Sequence, residues 1–154
     1  MLHIVLFEPE IPPNTGNLIR LCHNCGFTLH LIEPLGFEID DKRMRRAGLD
    51  YIEWKDLKIH ADWQVYLDSD PDANRYAIST KGHTRHSDAK FEQGDHLILG
   101  PETRGLPPEI LNSMPSNHIL RIPMRDGSRS LNLSNAAAIL AYEAWRQLDF
   151  GGYK

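Results

Sequence analysis

Three segments rich in glycine or asparagine carry the side chains best suited to ligand chemistry. They are Asn14-Thr15-Gly16-Asn17-Leu18-Ile19-Arg20, Leu99-Gly100-Pro101-Glu102-Thr103-Arg104-Gly105-Leu106, and Ile122-Pro123-Met124 with the nearby Ser130-Leu131-Asn132-Leu133. Together they offer amides, hydroxyls, a carboxylate and a guanidinium, all strong hydrogen-bonding groups. Each follows a short apolar run typical of a strand. Because open α/β sheets bind ligands at the carboxyl ends of their strands, the sequence predicts one site assembled from three loops.

Each segment also has a purely structural interpretation. Asn14 and Arg20 stand at the predicted start of a helix, where anions bind well, but the same pattern describes a capped helix with an exposed arginine. Gly100 and the following residues predict a tight turn that carries Glu102 close to a ligand. Asn132 lies where a loop enters a helix, so its structural role is capping. Both interpretations stay open at this point.

Alternating strand and helix patterns place these loops in the fold. Apolar runs predict the strands His3–Phe7, Thr28–Ile32, Tyr76–Thr80, His96–Leu99 and Ile119–Ile122. Turn and capping residues predict helices from Asn14 or Thr15 to Gly26, from Asp40 to Ala47, over Ala61–Leu67, from Pro107, and from Asn132 to about Leu148. Prolines predict a loop over Glu8–Pro13, and polarity predicts another over His83–Gln93. This alternation predicts an α/β fold with a mostly parallel sheet and helices on both faces, as one domain over residues 1–154.

Composition excludes several classes of protein. The chain has 154 residues, 41% of them apolar and 25% charged, with a formal net charge of −4. No apolar stretch is long enough to span a membrane, and the N-terminus lacks the features of a signal peptide. We therefore expect a cytoplasmic protein that does not bind membranes.

Two familiar nucleotide motifs are absent, since the sequence contains neither a P-loop nor a G-x-G-x-x-G after its first strand. The cysteines Cys22 and Cys25 form a C-x-x-C pair. Such a pair serves in redox chemistry or as half a metal site, but it lies inside a predicted helix with no second pair. We interpret both cysteines as small core residues.

Basic residues cluster near the predicted loops despite the net negative charge. A cluster of this kind is either a solvated face or part of a nucleic-acid surface. The members are Lys42, Arg43, Arg45 and Arg46; Lys81, His83, Arg85 and His86; and Arg121, Arg125 and Arg129. Their position beside the loops favours the second interpretation.

The last predicted helix is rich in alanine, at positions 136, 137, 138, 141 and 144. Alanine is the strongest helix former, which fits a core helix. Small residues also allow a partner helix, such as one from a second subunit, to approach closely. Neither interpretation is preferred at this point.

Together the segments resemble the SPOUT superfamily of RNA methyltransferases, in its TrmH-like branch, and most closely the small single-domain TrmL (YibK) group. The similarity runs nearly end to end. The segments that carry it are those from Phe7 to Asn17, Asp41 to Tyr51, Gly100 to Leu106, Ser128 to Ala136 and Tyr142 to Arg146. Cys22 and Cys25 are not part of the family pattern, which supports their structural interpretation.

The resemblance implies a deep trefoil knot in the C-terminal part of the sheet. It also implies S-adenosylmethionine as the cofactor, bent within the loops of the knot, with its adenine held largely by backbone groups. The residues expected to bind it are Ile78, Thr80, Gly100, Glu102, Gly105, Ile122, Pro123, Ser130, Leu131 and Ala136. No metal is expected, because the sulfonium methyl donor is already activated.

The reaction implied is methyl transfer to the ribose 2′-hydroxyl of the tRNA wobble nucleotide, a cytidine or modified uridine at position 34. The catalytic residues expected are Arg20, Asn14, Glu102, Ser130 and Asn132. Arg20 would orient the hydroxyl with partial base character, since an arginine with a pKa above about 12 is a poor base. Asn14 would position Arg20 or the ribose, and Glu102 would orient Arg20 or a loop.

The resemblance also implies partners. The anticodon stem-loop would be bound by Arg20, Lys42, Arg43, Arg46, Lys81 and Arg129, and a homodimer would form with Tyr142 in its interface. Three alternatives stay open: the same reaction at another tRNA position or on ribosomal RNA, an RNA-binding protein of this fold without catalysis, and a thiol redox protein using Cys22 and Cys25.

Overall fold

The computed structural model describes residues 1–153. Strands and helices alternate through most of the chain. The strands are β1 (His3–Phe7), β2 (Thr28–Ile32), β3 (Lys58–His60), β4 (Arg75–Ile78), β5 (Thr84–Arg85), β6 (His96–Leu99) and β7 (Ile119–Arg121). The helices are α1 (Pro12–Cys25), α2 (Asp41–Arg46), α3 (Tyr51–Trp54), α4 (Trp63–Ser69), α5 (Pro108–Asn112) and α6 (Leu133–Gln147). None of the helices within residues 1–153 is both long enough and apolar enough to cross a membrane.

The strands form one seven-stranded sheet in the order β3-β2-β1-β6-β4-β7-β5. Every pairing found among the described strands is parallel. Their carboxyl ends therefore meet at one edge of the sheet, as the sequence predicts for the three loops. The predicted α/β class and parallel sheet are confirmed.

Both faces of the sheet are covered by helices, which is also as predicted. On one face, α1 and α6 pack against each other and against buried residues such as Ile4 and Leu97. On the other face, Val5 and Ile98 lie in a second core with Tyr66 of α4 and Ile110 of α5. Alternate residues of the same strands supply the two cores because strand side chains point to opposite faces.

The alanine-rich helix turns its small residues inward. Ala137, Ala141 and Ala144 are fully buried, where they allow α6 to lie close to the sheet and to α1. Its exposed face carries larger apolar residues instead, including Ile139 and Tyr142. The core interpretation therefore accounts for these alanines, and the dimer stays a prediction that depends on the exposed face.

Helix α1 begins earlier than predicted. Pro12 and Pro13 are its first residues, and the residue before them, Ile11, gives no side-chain cap. The predicted Glu8–Pro13 loop is wrong at its end because the first turn of a helix needs no proline N–H donor. The expected capping role of Asn14 or Thr15 is also wrong, since both lie inside the helix.

Several short elements depart from the prediction. Strands β3 and β5 and helix α3 were not expected, and β5 lies within the predicted loop His83–Gln93. Strand β4 ends at Ile78, so the predicted end at Thr80 is wrong. The predicted caps Asp40 and Asn132 are confirmed, since each side chain accepts backbone N–H hydrogen bonds at the start of its helix.

Candidate functional site

A cavity of about 330 Å³ opens at the carboxyl ends of β4, β6 and β7. Residues 79–81, which follow β4, form one wall, and residues 100–106, which follow β6, form another. The third wall comes from the segment after β7 and the start of α6, including Met124 and Ala136. The cavity thus lies between two of the three segments that the sequence singled out, together with the segment that follows β4.

Most residues expected to bind a cofactor lie around this cavity. Its lining includes Ile78, Thr80, Gly100, Glu102, Gly105, Ile122, Ser130, Leu131 and Ala136. Pro123 does not line it and instead borders a neighbouring cavity with Gly82 and Arg121. The structure therefore brings together residues that are more than fifty positions apart in the chain, with Pro123 as the exception.

Gly100 is required where the loop after β6 folds back on itself. A Cβ atom at this position would lie 2.2 Å from the Leu106 backbone N and 2.3 Å from the Gly105 carbonyl carbon. Gly105 has a φ of 67°, in the left-handed region that favours glycine. These two glycines give the loop a tight turn, and both line the cavity.

A hydrogen-bonded network joins the cavity loop to both long helices. The Glu102 carboxylate accepts hydrogen bonds from the backbone N–H groups of Glu10 (2.8 Å) and Ile11 (3.1 Å) and from Asn14 Nδ2 (3.2 Å). The Asn14 Oδ1 atom accepts a bond from Asn132 Nδ2 (3.0 Å). Asn132 Oδ1 in turn accepts the backbone N–H of Ser134 in the first turn of α6. Among the expected roles of Glu102, orienting a loop fits these contacts.

A second set of contacts fixes the outside of the same loop. Thr103 Oγ1 donates to Glu10 at 2.8 Å, and Arg104 forms an ion pair with Glu8. Sequence reasoning did not assign these acidic residues to the site. The sequence feature that could have indicated them is the pair of carboxylates just after β1, close to the predicted ligand-binding loops. The loop after β6 is therefore held from both sides.

Arg20 does not line the cavity. Its Nε donates to Glu53 Oε1 at 3.0 Å, its Nη2 donates to the Gly48 carbonyl, and 53% of its side chain is exposed. The hydrogen bond with Glu53 raises the pKa of Arg20 and lowers the pKa of Glu53. The expected contacts of Asn14 or Glu102 with Arg20 are absent among residues 1–153. In this arrangement Arg20 is a hydrogen-bond donor and a poor base.

The other expected site residues differ in their surroundings. Ser130 is exposed and lines the cavity, and so does Lys81, which is the one expected RNA-binding residue found there. Arg43 forms ion pairs with Glu38 and Asp40. Lys42, Arg46 and Arg129 are exposed.

The cysteine pair belongs to the core. Cys22 and Cys25 are free and buried. Burial raises the pKa of both thiols, which disfavours the thiolate required for redox chemistry or metal binding. Within residues 1–153, no group of three or more His, Cys, Asp or Glu side chains is arranged to hold a metal ion.

A cluster of histidines packs beside Tyr66 of α4, on the sheet face opposite α1 and α6; His30, His60 and His96 are buried and His3 is partly buried. The ring nitrogens of His30 are 2.9 Å from those of His3 and of His60, while Tyr66 bonds His96 at 2.7 Å. Burial, reinforced by the neighbouring His3, lowers the pKa of His30 to about 2 and that of His96 to about 4. Sequence reasoning missed this cluster because its members come from different strands.

Comparison with known proteins then identifies the family. Residues 1–142 match the SpoU rRNA Methylase family. The chain belongs to this family. A Saccharophagus degradans protein named tRNA (cytidine(34)-2′-O)-methyltransferase is 58% identical over 154 residues, which is 100% of both chains. The resemblance to TrmH-like methyltransferases and their TrmL group is thereby confirmed.

Solved structures agree with this assignment. One, from work described as structural insights into the 2-OH methylation of C/U34 on tRNA, has a TM-score of 0.88 and 45% identity over 97% of each chain. The SpoU methyltransferase AviRb from Streptomyces viridochromogenes, solved with AdoMet, has a TM-score of 0.79 and 23% identity. It covers 97% of this chain and 58% of AviRb, and at that identity it shows a shared fold.

Proposed function

We propose that this protein transfers a methyl group from S-adenosylmethionine to the ribose 2′-hydroxyl of nucleotide 34 in tRNA anticodons. The relative with this activity in its name is 58% identical over the whole chain. The observation that carries the proposal is the cavity at the ends of β4, β6 and β7, which collects the residues expected from the methyltransferase motifs.

The cavity fits S-adenosylmethionine in size and chemistry. Its volume of about 330 Å³ lies in the range of small-molecule sites, roughly 300–1,000 Å³. Ile78, Ile122 and Leu131 offer apolar surface to an adenine, and the backbone of the turn at Gly100 would bond its edge. When bound, S-adenosylmethionine would supply an activated methyl group, so the protein has to position the acceptor hydroxyl and to let its proton leave to a base or to water.

The residues around the cavity can perform this positioning. Asn14 and Asn132 hold the start of α6 beside the cavity, and Ser130 offers a free hydroxyl to the cofactor or to RNA. Arg20, with its raised pKa, would donate hydrogen bonds to the ribose or to a phosphate, which is a positioning role. To reach the reacting hydroxyl, it would have to act across a subunit interface or move on RNA binding.

We further propose a homodimer in which Tyr142 lies in the interface. Tyr142 is 48% exposed and Ile139 is 39% exposed, on the outward face of α6. Large exposed apolar side chains on one helix face are typical of protein–protein contacts. The SPOUT resemblance also implies a trefoil knot in the C-terminal part of a single domain over residues 1–154. We further propose a cytoplasmic location, where tRNA is available.

The proposal is tested by incubating the protein with labelled S-adenosylmethionine and total tRNA from a strain that lacks the corresponding gene. We expect label on the ribose of nucleotide 34 after nucleoside mapping. Label at another nucleotide, or in ribosomal RNA offered in parallel, would favour the same chemistry on another substrate. Cofactor binding by calorimetry without any transfer would favour a non-catalytic RNA-binding protein.

Arg20→Ala provides the matched test of the assigned roles. We expect methyl transfer to fall sharply while the affinity for S-adenosylmethionine stays the same, because Arg20 lies outside the cavity. A large loss of cofactor affinity would show that the role assigned to Arg20 is wrong.

A further inference from the structure

Two arginines lie side by side at the open edge of the sheet. Arg85 ends β5 and Arg121 ends β7, and the two are register partners in the parallel pairing of these strands. Neighbouring strands are about 4.8 Å apart, and register partners project from the same side of the sheet. The two side chains therefore start from adjacent backbone positions on β5 and β7.

This arrangement is incompletely neutralised. Asp88 accepts a hydrogen bond from Arg85 Nε at 2.8 Å. Throughout residues 1–153, the Arg121 guanidinium has no ion pair and no hydrogen bond. The Arg121 guanidinium therefore keeps all of its hydrogen-bond donors available for an anion.

The arginines border a separate cavity of about 340 Å³. Its lining consists of Gly82, His83, Arg85, Arg121, Pro123 and Met124, and it contains no carboxylate. Gly82 allows this segment to pack closely against β7, because a Cβ atom there would lie 2.7 Å from the Ile119 carbonyl oxygen. The glycine lets the chain lie against β7 and brings His83 and Arg85 to the rim.

This cavity adjoins the candidate cofactor site. Met124 lines both cavities. Along the chain, Lys81 lines the cofactor cavity while the next residue, Gly82, lines the arginine cavity. A ligand that reaches from one cavity to the other would be an extended molecule, such as a nucleic-acid strand.

We propose that Arg85 and Arg121 form a subsite for one backbone phosphate of the substrate RNA, at a nucleotide flanking the one that is methylated. Arginine suits this role because its planar fork binds two phosphate oxygens at once. A phosphate between the two guanidinium groups would accept hydrogen bonds from both, and His83 lines the same cavity. The subsite rests on the proposed tRNA methyltransferase activity and adds a determinant of RNA binding to it.

The test uses Arg85→Gln, Arg121→Gln and the double variant. Lys90→Gln is the matched control, since Lys90 is exposed, loses the same charge and lies outside both cavities. Affinity for tRNA is measured by fluorescence anisotropy at several KCl concentrations. In the double variant we expect a dissociation constant about tenfold or more higher, and a salt slope smaller by about 0.7–0.9, the value for one phosphate contact.

Measurements of melting temperature and of cofactor affinity distinguish the loss of a phosphate contact from general damage to the fold. Because both arginines are exposed, we expect an unchanged melting temperature and an unchanged affinity for S-adenosylmethionine. An affinity for tRNA within twofold of the Lys90→Gln value, together with the same salt slope as that control, would overturn the proposal. Loss of cofactor binding together with tRNA binding would also overturn it, since the arginines would then support the cofactor cavity.

A small free anion is distinguished by titrating inorganic phosphate into the wild-type protein and the Arg121→Gln variant while following melting. If phosphate stabilises only the wild-type protein and the variant still binds tRNA normally, the site holds a free anion and the RNA assignment is wrong. Wild-type protein that neither binds nor methylates tRNA would instead overturn the proposed function as well. If the subsite alone is wrong, wild-type methyl transfer remains intact.

Discussion

Replacing Gly100 by alanine tests whether the loop after β6 is a rigid wall of the cofactor cavity. The new Cβ would lie 2.2 Å from the Leu106 backbone N, so this segment would have to move by about 1 Å to reach an allowed contact. The loop cannot shift freely, because Glu102 is bonded to Asn14 and Thr103 to Glu10. Overpacking of this kind costs about 1–3 kcal/mol.

We therefore expect Gly100→Ala to lower the free energy of unfolding by about 2 kcal/mol. If the substitution costs a similar free energy in the conformation that binds S-adenosylmethionine, the affinity for this cofactor drops about 30-fold, since about 1.4 kcal/mol corresponds to a factor of ten. Urea denaturation measures the first quantity, and isothermal titration calorimetry measures the second.

Two other glycines provide graded controls. Gly16 lies inside α1 with no atom within 4 Å of its Cβ position, so Gly16→Ala should raise stability by up to about 1 kcal/mol and leave cofactor affinity unchanged. Gly105 has a φ of 67° but open space around it, so Gly105→Ala should cost about 1–2 kcal/mol from backbone strain alone. Wild-type stability and cofactor affinity in Gly100→Ala would refute the reasoning, as would an equal loss of affinity in Gly16→Ala.

The remaining predictions concern the histidine cluster, the carboxylate of the loop, the dimer and the cysteines. The pKa values of His30 and His96 lie near 2 and 4 in the folded protein and near 6.5 when unfolded, so the stability that these neutral histidines contribute should be fully present above pH 6.5. The free energy of unfolding should then fall by about 2 kcal/mol per pH unit as the pH is lowered towards 4. Urea titrations at several pH values that show no such fall would contradict this. Glu102→Gln removes one of the acceptors for three donors and should cost about 1–2 kcal/mol, whereas an unchanged urea midpoint would show that the network is unimportant. Tyr142→Ala should weaken the dimer in sedimentation, and an unchanged sedimentation profile would count against the interface. The double substitution of both cysteines by serine should leave methyl transfer unchanged in folded protein, and loss of activity without loss of folding would revive a chemical role for the thiols.

The sequence predicted the parts of this protein that depend on local pattern. Runs such as His3–Phe7 and His96–Leu99 are short, apolar and bounded by turn residues, so their strands were found with the correct limits. The carboxyl ends of parallel strands share one edge, which is why loops distant in the chain could be assigned to one site. The methyltransferase resemblance then supplied roles that no periodicity contains.

Elements that depend on tertiary contacts were not predictable. Strand β5 has only two residues, and it exists because Gly82 lets the chain lie against β7. Strand β3 is polar and mostly exposed, so it has no apolar pattern and is defined by its pairing with β2. The histidine cluster likewise arises from the strand order, which brings His3 and His96 into register.

Asn14 shows why capping and binding could not be separated by sequence alone. An asparagine near a helix start suggests a cap, yet the N–H groups just before this helix bond the Glu102 carboxylate, about ninety residues further along the chain. This leaves the Asn14 amide free to join Glu102 to Asn132, and Asn132 caps α6. The helix that carries Arg20 is therefore tied to the loop of the cofactor cavity and to the helix proposed as the dimer interface. Because Glu102, Asn14 and Asn132 are bonded in one network, removing any of the three would affect the starts of both helices.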